Sequence, residues 1–361
     1  MKKGLLTMAG VLLTVSLVSA GTTVPVLAEE ETTLVYGSGD YTRINPAMDE
    51  HGEINILIFN GLTAHDGDNQ VVPGLAESWD FDDETNTYTF HMAEDAKWQD
   101  GEPVTAEDVK FTIEAIMDPE NGSENAPNYE DVEEINVIDD HTVAFKLEDK
   151  NVAFLDYMTM AVLPKHLLEG EDMQTSDFFR NPVGTGPYKI EEFNGVGVGY
   201  TLAANEYYRE DVPYDKVNLL FMGDNSAKTM ALQSGQVDLV ENITNVADIQ
   251  DFQDNDDYTV DIASGVRCGF AWMNFDGVLG NKTLRQAILM AIDNDTICNS
   301  RTIGGLYTPG FSVLPSTLNY DYDKLENPYT YDPEKAKQIL DDAGIVHFGY
   351  DETAEIGRAH V

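Results

Sequence analysis

The stretch that decides the fold is Thr87-Tyr88-Thr89-Phe90-His91-Met92, which precedes a turn at residues 100–103 and a helix after Thr105. Apolar side chains alternate with polar ones along it, and this period of two predicts a half-buried β-strand. After the turn, Thr105 can cap a helix whose apolar side chains recur at helical spacing as far as Met117. The sequence therefore predicts a strand, a turn and an amphipathic helix in succession.

Strands and helices continue to alternate outside this stretch. By the same criteria we predict strands at 142–147, 217–222 and 237–240, and helices at 226–234, 282–293 and 333–343. The last helix has Asp332 as its cap, Pro333 at its first position and Gly344 beyond its end. Interleaved strands and helices predict the α/β class, with a mixed α+β protein as the alternative.

The chain is long and strongly acidic. Its 361 residues exceed what one ordinary core organises, so more than one domain is expected. It carries 65 Asp and Glu against 21 Lys and Arg, which gives a formal net charge of −44. Because a polyanion would be repelled over the whole surface, we expect no nucleic-acid partner.

Residues 1–28 have the parts of a secretory signal peptide. Lys2 and Lys3 precede an apolar run at residues 5–18, small residues follow, and cleavage is predicted after Ala28. The run is too short to span a membrane. No cysteine follows it to carry a lipid anchor, so there is no lipobox. We therefore expect an exported protein, either periplasmic or extracellular at the cell surface.

The other end of the chain has a different character. We interpret residues 355–361, Glu-Ile-Gly-Arg-Ala-His-Val, as the translation of a common sequencing-adapter oligonucleotide. Our hypothesis is that this tail is foreign to the protein and that the chain is truncated before it. Recovery of a genomic copy that ends naturally at Val361 would contradict this hypothesis.

The sequence contains no motif of a hydrolase or of a metal site. It has neither a G-x-S-x-G elbow nor an H-E-x-x-H helix, and its seven histidines never fall at metal-ligand spacing. Cys268 and Cys298 can form one bridge or remain two free thiols, and their spacing leaves both open. We predict no catalytic residue, no metal and no cofactor. A secreted hydrolase or an adhesin stays the alternative from another class.

Several segments resemble the family 5 solute-binding proteins of ABC importers. The matching segments are Pro73–Trp79, Lys97–Pro103 followed by Thr105–Val109, Asn181–Tyr188, Leu232–Asp238 and Leu284–Ala287. The resemblance extends over residues 33–344. One departure is the lack of a basic residue just after the strand at 87–92, where Ala93 and Glu94 stand.

This resemblance implies a periplasmic-binding-protein-like II (cluster C) fold, a two-lobe clamp with an extra inserted domain. Lobe one would comprise residues 32–64 and 183–265, the inserted domain 65–182, and a partial lobe two 266–354. Because family members are longer than this chain, lobe two would be incomplete at the C-terminus. A monomer is expected.

The resemblance also assigns roles to residues. Structural positions, which fill cores or shape turns, are implied at Trp79, Trp98, Asp100, Gly101, Gly184, Gly186 and Pro187. Ligand contacts are implied at Tyr36, Asp49, Glu50, His51, Gly52, Tyr129, Trp272 and Asn274. Trp272 and Asn274 would belong to a strand, Phe270–Asn274, that lines lobe two near the hinge.

The resemblance implies that the protein captures a short peptide when its lobes close and delivers it to the permease subunits of an ABC importer. Cytoplasmic ATPase subunits would drive that importer. The same fold can instead carry a nickel chelate, haem or another small solute. The segment that discriminates these ligands in the family would lie beyond residue 354, so the sequence leaves the ligand open.

Overall fold

The computed structural model describes residues 31–39, 44–48, 52–67, 69–262, 269–300, 304, 306–312 and 326–345. These residues form two compact units. The first unit contains the described residues up to Met222 together with Gln236–Leu239. The second unit contains Gly223–Gly235 and the described residues from Val240 onward.

Strands and helices alternate along the described residues. The strands are β1 Thr33–Ser38, β2 Thr63–His65, β3 Val71–Pro73, β4 Ala76–Asp82, β5 Thr87–Met92, β6 Val132–Asp139, β7 Thr142–Leu147, β8 Tyr188–Gly195, β9 Gly199–Ala204, β10 Lys216–Phe221 and β11 Leu239–Val240. The α-helices are α1 Gly52–Ile58, α2 Ala106–Met117, α3 Phe154–Tyr157, α4 Lys165–Leu168, α5 Asn225–Gln233, α6 Val246–Gln253, α7 Lys282–Ala291, α8 Asn294–Cys298 and α9 Pro333–Asp342.

The larger sheet has five strands in the order β11-β1-β10-β9-β8. β1 and β10 are parallel, with Tyr36 opposite Leu219, whereas β9 is antiparallel to both of its neighbours. Asp238, which precedes β11, forms two hydrogen bonds with Val35 of β1. The Val35 N–H donates to the Asp238 carboxylate, and the Asp238 N–H donates to Val35 O, both at 2.8 Å. Strands from both sides of residues 65–182 thus build one sheet. The division into lobe one, inserted domain and partial lobe two stays a prediction.

A second, antiparallel sheet has the order β4-β5-β7-β6. The strands predicted at 87–92 and 142–147 are confirmed as β5 and β7. All three apolar side chains of β5 are buried. The centroid of the Phe90 ring lies 5.9 Å from that of Phe145 and 6.4 Å from that of Phe154, so one face of the sheet carries an aromatic core.

α2 packs beside this sheet and begins where the sequence predicts. Thr105 is its N-cap, and the Asp108 carboxylate accepts the Thr105 N–H at 2.8 Å. The other Asp108 oxygen accepts the Lys165 N–H at 2.9 Å, which ties the start of α2 to the start of α4. The buried face of α2 includes Val109, Ile113 and Ile116.

The chain returns from the second sheet to the first at residues 184–188, where it meets the end of α1. Gln99 is buried there, accepts the Gly184 N–H at 2.9 Å, and donates to Ile58 O at 3.1 Å and Tyr188 O at 2.7 Å. A Cβ atom on Gly184 would lie 1.9 Å from Ile58 O, so only glycine fits this approach. We call Gln99, Ile58 and residues 184–188 the crossing.

In the second unit, α7 and α9 pack against each other around Ala287, Met290 and Ala336. The prediction for α9 is confirmed. Pro333 is its first residue, and the Asp332 carboxylate accepts the Lys335 N–H at 2.9 Å. An apolar stripe with a matched cap therefore suffices to specify this helix.

Several element boundaries differ from the sequence predictions by one or two residues; the strand predicted at 217–222, for example, is β10 at Lys216–Phe221. α7 stops at Ala291 instead of Asp293 because Asp293 is the N-cap of α8, where it accepts the Thr296 N–H at 2.9 Å. α5 begins and ends one residue earlier than the predicted 226–234. The strand predicted at 237–240 is shortened to β11, and at its start the Asp238 carboxylate, in place of a backbone carbonyl, accepts the Val35 N–H.

The strand predicted at Phe270–Asn274 is wrong. The segment is irregular, and the side chains of Phe270 and Trp272 are 53% and 88% exposed. A strand requires a neighbouring strand to bond its backbone N–H and C=O groups. Among the described residues no strand pairs with this segment, so its apolar side chains have no sheet against which to be buried.

The close approach at Gly184 predicts the effect of adding one methyl group. Gly184→Ala would force the backbone away from Ile58 O and break the bonds of the crossing, so we expect a loss of roughly 3 kcal/mol in the free energy of unfolding, at the upper end of overpacking costs. Urea denaturation measures it. Gly67→Ala is the matched control, since a Cβ there meets nothing within 4 Å. Equal stability of both variants would contradict this account.

The hydrogen bonds of Gln99 generate a second prediction. Gln99→Leu keeps the side-chain volume approximately but leaves the Gly184 N–H without its buried acceptor and takes away a donor from two carbonyls. We expect a loss of about 2–4 kcal/mol, as for buried polar groups without partners. Gln174→Leu is the control, because the exposed Gln174 side chain makes one bond, to Asn121 O at 2.7 Å. Similar losses in the two variants would refute the assigned role.

Candidate functional site

The parallel strands β1 and β10 end at the same edge of the larger sheet. β1 ends at Ser38, which is fully buried, and the Met222 N–H that follows β10 donates to Ser38 O at 2.9 Å. In open α/β sheets, ligands bind beyond the carboxyl ends of parallel strands. This edge and the segment after β1 are therefore the first place to look for a site. Tyr36, two residues before the edge, is buried in the core, and its predicted ligand contact stays a prediction.

The segment that follows β1 is fastened to the region after α2. Asn45 is buried, and its side-chain nitrogen donates to Met173 O at 2.7 Å. The Ser123 hydroxyl donates to Ala47 O, and the Glu124 N–H donates to Met48 O at 3.2 Å. Residues 44–48 are thus held in place immediately before the predicted ligand loop. Of that loop, Asp49, Glu50 and His51 lie outside the described residues, and Gly52 is the first residue of α1.

A cavity of about 320 Å³ lies beside α1 within the first unit. Its walls come from α1, from Pro46 before the predicted loop, from Asn128, and from residues 156–161. Apolar side chains and carboxamides both face it, with Asp156 at one side. Asp156 is paired with His65, whose Nε2 lies 3.0 Å from its Oδ1. The cavity is partly open to solvent, and its walls combine apolar and polar groups.

The other predicted ligand residues do not gather around this cavity. Tyr129 has no exposed surface, and its hydroxyl donates to Tyr157 O at 2.7 Å, so it packs in the core of the first unit. Because Tyr129 is fully buried, a ligand could reach it only if neighbouring residues moved, and its ligand contact stays a prediction. Trp272 and Asn274 belong to the second unit. Trp272 is exposed and its ring lies 5.0 Å from that of Phe270, while the Asn274 side chain accepts the Asp276 N–H at 2.9 Å.

The positions predicted to be structural all lie in the first unit. Trp98 is fully buried with its ring 6.1 Å from that of His166, and His166 Nε2 lies 2.9 Å from Asp100 Oδ2. Gly101 has a φ of +93°, a conformation that favours glycine, and closes the turn by donating its N–H to Trp98 O at 2.9 Å. Trp79 is half-buried, 6.4 Å from the Phe90 ring. The remaining members, Gly184, Gly186 and Pro187, belong to the crossing.

Two groups in the first unit with shifted pKa values lie in hydrogen bonds between segments distant in sequence. Hydrogen bonds from the N–H and the hydroxyl of Thr32 lower the pKa of Asp215, which joins the start of β1 to the start of β10. A hydrogen bond to Glu107 raises the pKa of Lys165 at the start of α4. Neither group lines the cavity. Both groups lie at the starts of secondary-structure elements, away from the cavity.

Sequence reasoning missed Gln99, Asn55 and Asn128. Gln99 lies between Trp98 and Asp100, inside the segment Lys97–Pro103 that resembles the family. That position was the one sequence feature that could have indicated a structural role for Gln99. Asn55 and Asn128 are 73 positions apart in the chain, and no spacing rule links them.

The part of the chain that the structure describes holds no group of three His, Cys, Asp or Glu side chains able to bind a metal ion. Cys298 is a half-buried free thiol, and Cys268 lies outside the described residues.

No helix in the described ranges is both long enough and apolar enough to cross a bilayer. This finding concerns residues 31–345 with their gaps, and the predicted signal peptide at 1–28 lies outside the described residues.

Comparison with known proteins gives a consistent result. Residues 70–352 match the family described as bacterial extracellular solute-binding proteins, family 5 middle. The oligopeptide-binding protein AppA of Bacillus subtilis is 30% identical over 323 residues, which cover 86% of this chain and 59% of AppA. The chain therefore spans well under two thirds of the length of this relative.

Two solved structures are similar in fold. The ABC transporter substrate-binding protein CtaP of Listeria monocytogenes has a TM-score of 0.75 and 29% identity, with 88% of this chain and 66% of CtaP covered. NikZ of Campylobacter jejuni, in complex with Ni(L-His), has a TM-score of 0.71 and 29% identity, with 87% of this chain and 63% of NikZ covered. The predicted two-lobe periplasmic-binding-protein-like fold is thereby confirmed. The chain belongs to family 5 of the bacterial extracellular solute-binding proteins.

Proposed function

We propose that the protein is the exported binding component of an ABC importer, which captures short peptides and hands them to the permease subunits. The observation that carries the proposal is the family match over residues 70–352. The likeness to AppA, an oligopeptide-binding protein, favours a peptide as the ligand. No bond of the ligand is made or broken in this role, so the protein is a transport component and not an enzyme.

Capture follows from differential affinity. A ligand that touches both lobes of a clamp stabilises the closed state relative to the open one, and the transporter can then distinguish the loaded form. An extended peptide can bond through its backbone to main-chain groups of the protein, while hydrated pockets accept varied side chains. Affinity then depends little on peptide sequence, which suits a nutrient importer.

A second ligand class has its own support. NikZ, which is 29% identical, was solved with a nickel–histidine complex, so the same fold holds a metal chelate there. Haem and other small solutes are further candidate ligands, because the sequence does not distinguish them from peptides. A secreted hydrolase or adhesin is disfavoured by the family match, since the matched family is defined by solute binding.

A thermal-shift screen of the full-length protein discriminates these ligands. Di- to pentapeptides, nickel–histidine and haem are tested, and we expect peptides to raise the melting temperature. A ligand at 100 times its Kd adds about 2.7 kcal/mol to the stability of the bound form, which corresponds to roughly 3–4 °C for a chain of 361 residues, at about 2.1 cal/mol/K of unfolding entropy per residue. A shift with nickel–histidine or haem and none with any peptide would show that the peptide assignment is wrong.

The exposed Trp272 permits a test of the predicted contacts. Trp272→Ala removes a side chain that is 88% exposed, so stability should change little, whereas loss of an aromatic contact should raise the peptide Kd about tenfold or more. Val278→Ala, at a 79% exposed position of the same unit, is the matched control and should leave the Kd unchanged. Titration calorimetry measures both. Equal peptide affinities in the two variants would remove Trp272 from the site.

A further inference from the structure

Three asparagines of the chain directly precede a glycine: Asn60, Asn121 and Asn194. In an Asn-Gly pair the backbone nitrogen of the glycine can attack the side-chain carbonyl carbon of the asparagine, because glycine has no Cβ to hinder the approach. This attack begins spontaneous deamidation, one reason why asparagine is a thermolabile residue. The two groups must approach each other and water must reach them, so the fold decides which pair reacts first.

The surroundings of Asn60 oppose this approach. Its N–H donates to Thr185 Oγ1 at 3.0 Å, and its carbonyl oxygen accepts the Val162 N–H at 3.0 Å. The following residue, Gly61, packs so closely that an added Cβ would lie 2.5 Å from the carbonyl carbon of Thr159. The Asn60 side chain is half-buried. The backbone on both sides of the Asn60–Gly61 bond is therefore held in place.

Asn121 is held by three hydrogen bonds. Its side-chain nitrogen donates to Ala115 O at 2.8 Å, and its N–H donates to Asp118 O at 3.0 Å. Its carbonyl oxygen accepts a hydrogen bond from Gln174 Nε2 at 2.7 Å. The side chain is half-buried. Rotation of the carboxamide toward the glycine nitrogen would break the first of these bonds, and movement of the backbone would break the other two.

Asn194 lies at an irregular position in the ladder between β8 and β9. Phe193 is opposite Tyr200, and Gly195 is opposite Gly199, so β8 has one extra residue here and Asn194 has no partner in β9. This arrangement is a β-bulge, in which the extra residue is left out of the regular hydrogen bonding of the ladder. The backbone at Asn194 is therefore less constrained than that of a regular strand residue.

The side chain of Asn194 is exposed and makes one hydrogen bond to a described residue, from Nδ2 to Thr201 Oγ1 at 3.2 Å. The glycine that follows has room around it, because a Cβ on Gly195 would have Val198 Cγ2, at 3.8 Å, as its nearest neighbour. Water thus reaches the carboxamide directly, and little has to move for the glycine nitrogen to approach it.

We propose that Asn194 is a site of spontaneous deamidation in the folded protein. The Gly195 nitrogen loses its proton and forms a bond to Asn194 Cγ, while the Cγ–Nδ2 bond breaks and the side-chain nitrogen leaves as ammonia. Water then opens the resulting succinimide ring at one of its two carbonyl carbons, which gives aspartate or isoaspartate. The reaction consumes one water molecule, and no oxidant or reductant takes part.

The product changes a defined part of the larger sheet. Either form adds a carboxylate to a strand that already carries Glu191 and Glu192, and isoaspartate also lengthens the backbone by one methylene group at the bulge. The Phe221 N–H donates to Val198 O at 3.0 Å, so the turn of this hairpin lies at the sheet edge where β10 ends. β1 ends at the same edge, since Ser38 is opposite Phe221. The reaction needs no ligand and does not depend on the proposed function.

Peptide mapping by mass spectrometry of the full-length protein tests the proposal. The folded protein is incubated at mildly alkaline pH, samples are digested at intervals, and chromatography separates the aspartate and isoaspartate products. We expect Asn194 to react about tenfold faster than Asn60 and Asn121, because each of those residues is held by two or more hydrogen bonds that the reaction would break. Asn194→Gln should remove the product at position 194, since a glutamine would have to close a larger ring, and should leave the other two rates unchanged.

Incubation in guanidinium chloride is the matched control. Unfolding removes the differences that the fold imposes, so the three Asn-Gly pairs should then react at similar rates. Equal rates in the folded protein, or a reaction at Asn60 or Asn121 before Asn194, overturns the proposal. A preference for Asn194 that is equally large in the unfolded chain also overturns it, because the local sequence and not the bulge would then select the site.

Discussion

The first unit depends on the packing of one backbone segment against another at the crossing. Gly184 lies so close to Ile58 O that no side chain fits between them, and Gln99 bonds to both segments and to Tyr188. Because Gln99 follows the second sheet and Tyr188 begins β8 of the first, these bonds fix the two sheets relative to each other. The end of α1 is held at the same point. The crossing therefore also positions the residues of α1 that line the candidate site.

Rigidity at the crossing has a functional consequence. A ligand binds more tightly to a surface whose shape is already set, since ordering the surface would consume binding free energy. The hydrogen bonds of residues 44–48 also make the surface rigid, because they hold the segment immediately before the predicted ligand loop in place. The described part of the first unit is in this sense a platform, and the ligand supplies the remaining contacts.

The sequence predicted the regular elements well because their signals are local. The alternation in β5, the cap at Thr105 and the sequence Asp332-Pro333 before α9 each act within a few residues, and the structure has each element there. The strand at Phe270–Asn274 failed because strand formation depends on a partner that local pattern cannot supply. The end of α7 was missed because Asp293 serves the next helix, which is a competition between two local signals.

The candidate site was harder to predict, for a physical reason. Tyr36 and Tyr129 were expected to touch a ligand, but an aromatic side chain has the same pattern in a core as in a pocket, and both are buried. The asparagines of the cavity come from segments distant in sequence, and only tertiary packing brings them together. Family resemblance supplied the fold and the solute-binding role, while the ligand depends on side chains that the resemblance does not specify.

Capture by closure is the central claim, and small-angle X-ray scattering of the full-length protein tests it most directly. The radius of gyration is measured without ligand and with a saturating concentration of the peptide that binds most tightly. The account predicts a smaller radius in the bound state, with a peptide that fails to bind leaving it unchanged. A bound peptide that produces no compaction would contradict the clamp.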